Sequence, residues 1–389
     1  VPILLGLGQD PRGLTQLTFN RDIYVSPGRS YQGETEDWGI SGEVNWNFGD
    51  VTLTSITGYR EYSNFQGSDT DYTQVDLLYR APNEFGGARA FETFTQELRV
   101  SSDFDGPVNF LLGGYYFNEK AKQNSGLDNG EDARAFFDLL AGGGTPGTLS
   151  FVESQLGIPV GATFAEGPST REFFTLDNES YSVFGQVDFE VTDRLTLTAG
   201  FNYTDDRKDF SLRQDSFDPL ANVNFVDAVI VGGIAQALQI PTSQVTPGVI
   251  QQFAAAQPAG FQQIAAIATT PCSAGSPPPA CNQLLPLQAL QFLPPFLAVP
   301  NAVEPGRTND DNLSYTLRVA YDVSDRVNAY FTYATGFKAS SFNLSRDSRP
   351  LASDIAALTQ AGLHGDLRRR IAQGLAGVGA QLQALRDQS

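Results

Sequence analysis

The 389 residues contain no methionine and one histidine, and no stretch approaches the roughly 18 consecutive apolar residues of a membrane helix. Any crossing of a bilayer would have to use β-strands, because only helices and closed barrels satisfy every backbone hydrogen bond inside lipid. The chain starts at Val1, with no basic start, apolar stretch and small-residue cleavage site, so it is expected to be an internal piece of a longer protein. Basic residues are also scarce: 25 Lys and Arg face 44 Asp and Glu, for a net charge of −19. That balance excludes nucleic-acid binding, which depends on neutralising phosphates.

Catalytic equipment is equally thin. The lone His364 has no Gly-x-Ser-x-Gly nucleophile motif beside it, and Gly6-x-Gly8 lacks the third glycine of a phosphate loop. No catalytic residue, cofactor or enzyme activity is expected. Cys272 and Cys281 have no second cysteine pair or histidine cluster to complete a metal shell. Nine positions apart in a Pro-rich stretch, they suit a local disulfide of an exported loop.

Alternation is what the chain has in quantity. Tyr181, Val183, Gly185, Val187, Phe189 and Val191 share one face of a strand, with Ser182, Gln186, Asp188 and Glu190 opposite and Phe184 the exception. Leu195 to Tyr203 and Tyr315 to Val323 repeat the pattern. Short turns at Asn47–Asp50, Asp103–Pro107, Thr192–Arg194 and Ser324–Arg326 each join two such segments, whereas the connections between pairs are long and polar. The spacing predicts hairpins near 38–65, 91–120, 179–213 and 312–342, with long loops at 66–90, 121–175 and 214–306. Glu179–Val191 and Arg194–Asp206 each run about thirteen residues without proline, beyond the usual 5–6 of a soluble strand and enough for the 9–11 of a tilted membrane strand.

Inside the loops, a short helix is expected near Ala133–Leu140, and another from Thr246-Pro247 with a break at Pro258. Leu367, Ile371, Leu375, Val378, Leu382 and Leu385 predict an amphipathic helix in the tail, 353–386. Val1–Gly33 is expected to be mostly outer loop, with a possible strand at Leu14–Val25.

Val51-Thr-Leu-Thr-Ser-Ile-Thr-Gly-Tyr-Arg60, Phe94-Thr-Gln-Glu-Leu-Arg-Val-Ser-Ser102, Leu111-Leu-Gly-Gly-Tyr-Tyr-Phe117 and Tyr315-Thr-Leu-Arg-Val-Ala-Tyr-Asp322, running on to Asn343, follow one another in order. Together they resemble consecutive barrel segments of TonB-dependent outer-membrane receptors. The resemblance implies an all-β fold: a partial transmembrane antiparallel β-barrel, about eight long strands of a 22-stranded barrel, with long, partly helical extracellular loops. It also implies a plug domain and C-terminal strands beyond these residues, residence in the bacterial outer membrane, and a TonB complex as partner. The cargo would be a ferric siderophore or another bulky nutrient.

On such a wall Glu43, Glu97, Arg99, Asp188, Glu190, Arg318 and Asp322 are expected to face the hydrated lumen in ion-pair networks, and Tyr59, Tyr62, Tyr203 and Tyr333 to join an interfacial girdle. Ligand-contacting residues stay unknown; acids and aromatics of 69–89 and the excursion after Arg213 are candidates. Two other readings stay open, a passive porin and a soluble glycan-binding β-sandwich. In the sandwich, the apolar rows of two sheets would meet in a dry centre.

Overall fold

The computed structural model describes residues 1–15, 22–272, 280–291, 298–300 and 305–341. The tail helix expected at 353–386 and His364 lie outside them. Eight long strands form one antiparallel sheet: β1 (Gly33–Asn47), β2 (Val51–Gln66), β5 (Gly87–Ser102), β6 (Val108–Asn129), β7 (Gly167–Thr192), β8 (Leu195–Ser216), β9 (Arg307–Ser324) and β10 (Val327–Ala334), neighbours in that order. The short β3 (Ser68–Asp69) and β4 (Leu78–Arg80) form a small ladder, with β4 also pairing β6. All four tight turns sit at one end of the sheet and all long connections at the other. Gly49 makes the first turn with φ 71°, a conformation open to glycine without steric cost.

Cross-strand partners share a face, so the register can be followed across the wall. One row runs Trp46, Leu53, Val100, Leu112, Gly185, Phe201, Tyr315. Rows two residues away on either side are comparably apolar. This face is uncovered: Trp38 is 52% exposed, Ile40 71%, Leu317 54% and Phe331 71%. Most buried apolar side chains instead lie in the loops, among them Leu149, Phe164, Leu220, Phe225 and Ile234. With a single sheet whose apolar side faces outward, the sandwich reading fails.

Along one strand the apolar face lasts about eleven residues, Trp38 to Phe48 on β1 and Leu313 to Val323 on β9, matching a tilted bilayer crossing. Beyond it the strands continue, to 26 residues in β7, as a stalk well past the lipid. The stalk carries polar side chains on both faces, and for that reason period-2 counting stopped short of it.

The stalk supports a helical cap. α1 (Pro2–Gly6) comes first; α2 (Pro11–Thr15), where Pro11 starts a helical turn and Asp10 holds Arg12, replaces the start of the strand expected at Leu14–Val25, and 22–25 is also not strand. α3 (Ala133–Ala141) and α4 (Thr148–Leu156) pack on Phe164, Leu220 and Phe225. α5 (Phe225–Leu238) starts at Asn224, whose side chain accepts from the amides of Val226 and Asp227. In α6 (Pro247–Ala256) Thr246 caps and Pro247 takes the first helical turn; Pro258 separates it from α7 (Pro258–Thr269). Ile234, Ala235, Val245 and Phe253 form the core of this three-helix unit.

A disulfide joins Cys272 to Cys281, Cα atoms 5.0 Å apart. Beside it Asn282, 1% exposed, donates to the carbonyls of Phe225 and Ala268, so the clip ties the end of α7 to the start of α5. Replacing both cysteines by serine should destabilise this unit by about 2–3 kcal/mol through released loop entropy. Hydrogen exchange would quicken in α5 and α7 and stay unchanged in β7 and β8; unchanged exchange in α7 would contradict the staple.

Candidate functional site

The polar face of the wall is built by the residues between the apolar ones. Glu43, Glu97, Arg99, Asp188, Glu190, Arg318 and Asp322 all fall on it by register. Among these seven, only Arg99 and Glu97 form an ion pair with a described residue, with each other at 2.9 Å. Glu43, Asp188, Asp322 and Arg318 are instead held by amides, a hydroxyl and a ring. Asn45 donates to Glu43 at 2.8 Å, Gln186 and Thr198 donate to Asp188 at 2.9 and 2.5 Å, and Asn328 donates to Asp322 at 2.7 Å. The Arg318 guanidinium lies 4.8 Å from the centre of the Tyr330 ring. The expected ion-pair network is thus mostly a hydrogen-bonded one, which suits a surface in contact with water.

Phe184, the break in alternation, also stands on this face. Its ring lies over Gly113, where a Cβ would come within 2.5 Å of it. A glycine opposite an aromatic gives the ring a flat seat on the sheet. Next to it, a hollow of about 610 Å³ is lined by Gln186, Asn202, Thr204, Asn312, Ser314 and Phe337, a mixture of amides, hydroxyls and rings.

The apolar face carries an aromatic belt that fixes its orientation. Tyr59 and Phe94 lie in one register row, Tyr116 and Tyr181 two residues nearer the turns, and Tyr203, Tyr315 and Tyr333 each two residues lower again. From Tyr59 to Tyr333 that is a drop of about 26 Å over about 29 Å of sheet, a strand tilt of about 40° relative to the belt. Barrel strands tilt by about 35–45° in a membrane. Immediately beyond the belt come carboxylates: Tyr59 donates to Glu61, and Tyr116 and Tyr181 both donate to Glu179, at 3.0 and 2.7 Å. Tyr62 does not join the belt. It pairs with Asp37 and Phe91 on the polar face, its ring 5.9 Å from that of Phe91.

At the long-loop end, Asp69, Asp71 and Asp76 are engaged in holding the loops. Asp69 accepts from the amides of Ser26 and Tyr72, and Asp71 from Thr73 and Leu78. Burial pushes the Asp71 carboxyl above its usual range. Arg29 joins Asp76 at 2.5 Å and Glu166 at 3.1 Å, and stacks 4.0 Å above Tyr79. Burial works against the Asp76 carboxylate, but Arg29 and the Glu131 amide outweigh it and hold its pKa below the ordinary value. Sequence reasoning missed this clamp because Arg29 and Glu166 are 137 residues apart. The exposed aromatics of this segment are Tyr72, 77% exposed, and Phe85, 44% exposed.

A second knot holds α3 to α4. Glu153, fully buried, accepts from Arg134 at 2.8 and 2.9 Å, from the Thr163 amide and hydroxyl, and from the Gly161 amide. Burial raises its pKa, yet those donors more than compensate and hold it below the usual glutamate value. No group of three or more His, Cys, Asp or Glu side chains among the described residues could hold a metal ion.

The family model described as "TonB dependent receptor-like, beta-barrel" matches residues 5–265. Among solved structures, the chain is similar to the ferric yersiniabactin uptake receptor FyuA from Yersinia pestis, with 12% identity, 80% of this chain and 30% of that one covered, and a TM-score of 0.42. It is also similar to the siderophore receptor PiuA from Acinetobacter baumannii, with 13% identity, 78% and 32% coverage, and a TM-score of 0.38. A third is the ferric-catecholate import receptor Fiu from E. coli K12, in its open form, with 9% identity, 80% and 37% coverage, and a TM-score of 0.34. The chain spans about a third of the length of each. No curated protein matches it. A tilted antiparallel wall with an aromatic belt, a bare apolar face and a hydrogen-bonded polar face, matched by that model over most of its length, belongs to the β-barrel of the TonB-dependent receptor family.

Proposed function

We infer that this chain is part of an outer-membrane receptor that imports a scarce, bulky nutrient, a ferric siderophore, with energy supplied by the inner-membrane TonB complex. The observation that carries this reading is the division of one sheet into a lipid face and a water face, on a wall whose strands run far beyond the bilayer into a folded cap. A porin needs the first feature. The capped stalk favours a receptor, since loops held on a rigid scaffold suit recognition. In this reading Tyr72 and Phe85 offer exposed aromatic surface to cargo, while Asp69, Asp71 and Asp76 keep the loops in place. The polar wall then gives the cargo hydrogen-bonding groups to pass along. The transporter role requires no catalysis.

The test is uptake of siderophore-bound radioactive iron by iron-starved cells with and without the gene carrying this chain. Gene-dependent uptake that stops when the proton-motive force is collapsed is expected. Uptake that survives the collapse would make the protein a passive channel, and gene-independent uptake would remove the siderophore assignment.

A further inference from the structure

The hollow of about 610 Å³ on the water face opens at the level of the aromatic belt, because Asn202 and Ser314 in its lining adjoin the belt residues Tyr203 and Tyr315 in sequence. Across the ladder Asn202 is paired with Ser314, Thr204 with Asn312 and Gln186 with Gly200. Phe184 stands on one side. On the other is Phe337, in a stretch after β10 that is pinned at both ends: the Thr335 amide donates to the Tyr315 carbonyl, and the Ser340 amide donates to Asp310, each at 2.9 Å. The volume lies within the range of small-molecule sites, about 300–1,000 Å³.

Its hydrogen-bonding groups are neutral. Gln186 donates to Asp188 at 2.9 Å, Asn202 to Thr204 at 3.4 Å, and Ser314 to the side-chain oxygen of Asn312 at 3.0 Å. The Asn312 amino group and the side-chain carbonyls of Gln186 and Asn202 have no partner among the described residues, so the hollow offers a guest both a donor and acceptors. Among the described residues its lining has a single charged side chain, Asp206, which pairs with Lys208 and stands opposite Asp310 in register. Carboxylates therefore outnumber ammonium groups at the rim nearest the cap. Toward the turns, the Arg318 guanidinium is held over the Tyr330 ring and Asp188 lies two residues from Gln186. A highly charged anion placed here would shed its water without gaining a cation.

We propose that this hollow is a station for an uncharged ferric chelate, a tris-hydroxamate on a peptide backbone, and that it turns away trianionic tris-catecholates. In a tris-hydroxamate the ligand oxygens cancel the charge of the ferric ion, and the exterior carries carbonyls and amide N–H groups. The carbonyls accept from the Asn312 amino group, the N–H groups donate to Gln186 and Asn202, and the apolar edges of the chelate lie against Phe184 and Phe337. This inference rests on the siderophore-receptor reading and adds the charge and chemistry of the cargo.

The test is uptake of radioactive iron, supplied as ferrichrome (a neutral tris-hydroxamate) or as ferric enterobactin (a trianionic tris-catecholate), by iron-starved cells that lack other siderophore receptors and express the full protein carrying this chain. Ferrichrome should be taken up at least about tenfold faster than ferric enterobactin. Asn312→Leu should lower ferrichrome uptake about fivefold, normalised to the amount of protein in the membrane. Asn312→Arg should raise ferric enterobactin uptake at least about tenfold by supplying the missing cation. A gain of that kind cannot come from misfolding. Import of the catecholate as fast as the hydroxamate would overturn the proposal and leave the receptor reading standing. So would an unchanged preference in Asn312→Arg, which would give the hollow to the plug domain and not to cargo. Gene-dependent uptake of neither complex would remove the receptor reading and this inference together.

Discussion

Arginine in place of Leu317 will destabilise insertion of this wall into a bilayer by about 1–3 kcal/mol, whereas arginine at the adjacent Thr316 will change it by less than about 1 kcal/mol. Leu317 lies on the apolar face of β9, two residues on the turn side of the belt residue Tyr315, in one row with Val187, Ala199 and Tyr333, and is 54% exposed. Outside lipid such exposure would waste a large apolar side chain; inside lipid it is where the side chain belongs, and a guanidinium there loses its hydration. Thr316 points the other way, into the row of Gly200, where water can solvate an added charge. Urea titration of the protein folded into vesicles reads both variants. Equal cost at 316 and 317 would mean that the faces are not lipid and water.

The second large effect is expected in the cap. Arg134→Ala removes the charged donor from each oxygen of Glu153, leaving only the Thr163 and Gly161 donors; the Glu153 side chain is fully buried, while that of Arg134 is 25% exposed. Leaving a buried carboxylate without its partner typically costs 3–5 kcal/mol, and the partial exposure of Arg134 places the expectation near the lower end, about 3 kcal/mol. Replacing both, as Arg134→Met with Glu153→Leu, should recover most of that loss. Opening of α4 by hydrogen exchange measures it, and an equally unstable double variant would place the loss elsewhere than in the stranded charge.

The same knot makes the cap sensitive to acid. The folded pKa of Glu153 lies below its unfolded value, so its stabilisation is complete above the ordinary glutamate range and is lost as pH falls through the folded value. Asp218, near Glu153, works in the opposite sense. Burial raises its pKa despite bonds from the Phe164 and Leu220 amides, so its cost is full above the raised value and relieved on acidification. The difference in stability between the native cap and Arg134→Ala should therefore shrink as pH falls through and below the ordinary glutamate range.

Much of the wall was legible from residue types alone, for a definite physical reason. In Tyr315–Val323 every second side chain must satisfy lipid and the others water, so the period is written into composition. That pressure ends where the strand leaves the bilayer: Gly167–Asn178 is strand, yet its side chains follow no alternation, and the hairpin was expected to begin only at 179. α5 escaped notice because FVDAVIVGGIAQAL is apolar nearly all round and so has no helical period to detect. Tyr62 was placed in the belt by its closeness to a strand end; parity with Tyr59 puts it on the other face. The loop clamps at Arg29 and Glu153 depend on partners far away in sequence or on burial, neither of which a local pattern contains.

Nitroxide scanning along β9 from Leu313 to Val323, with the protein in lipid bilayers, tests the division of faces most directly. Collisions with oxygen, which concentrates in lipid, should peak at 313, 315, 317, 319 and 321, and collisions with a water-soluble paramagnetic chelate at 314, 316, 318, 320 and 322. If the odd positions prove shielded from both reagents, or the two patterns coincide, the sheet does not separate lipid from water and the receptor account falls with it.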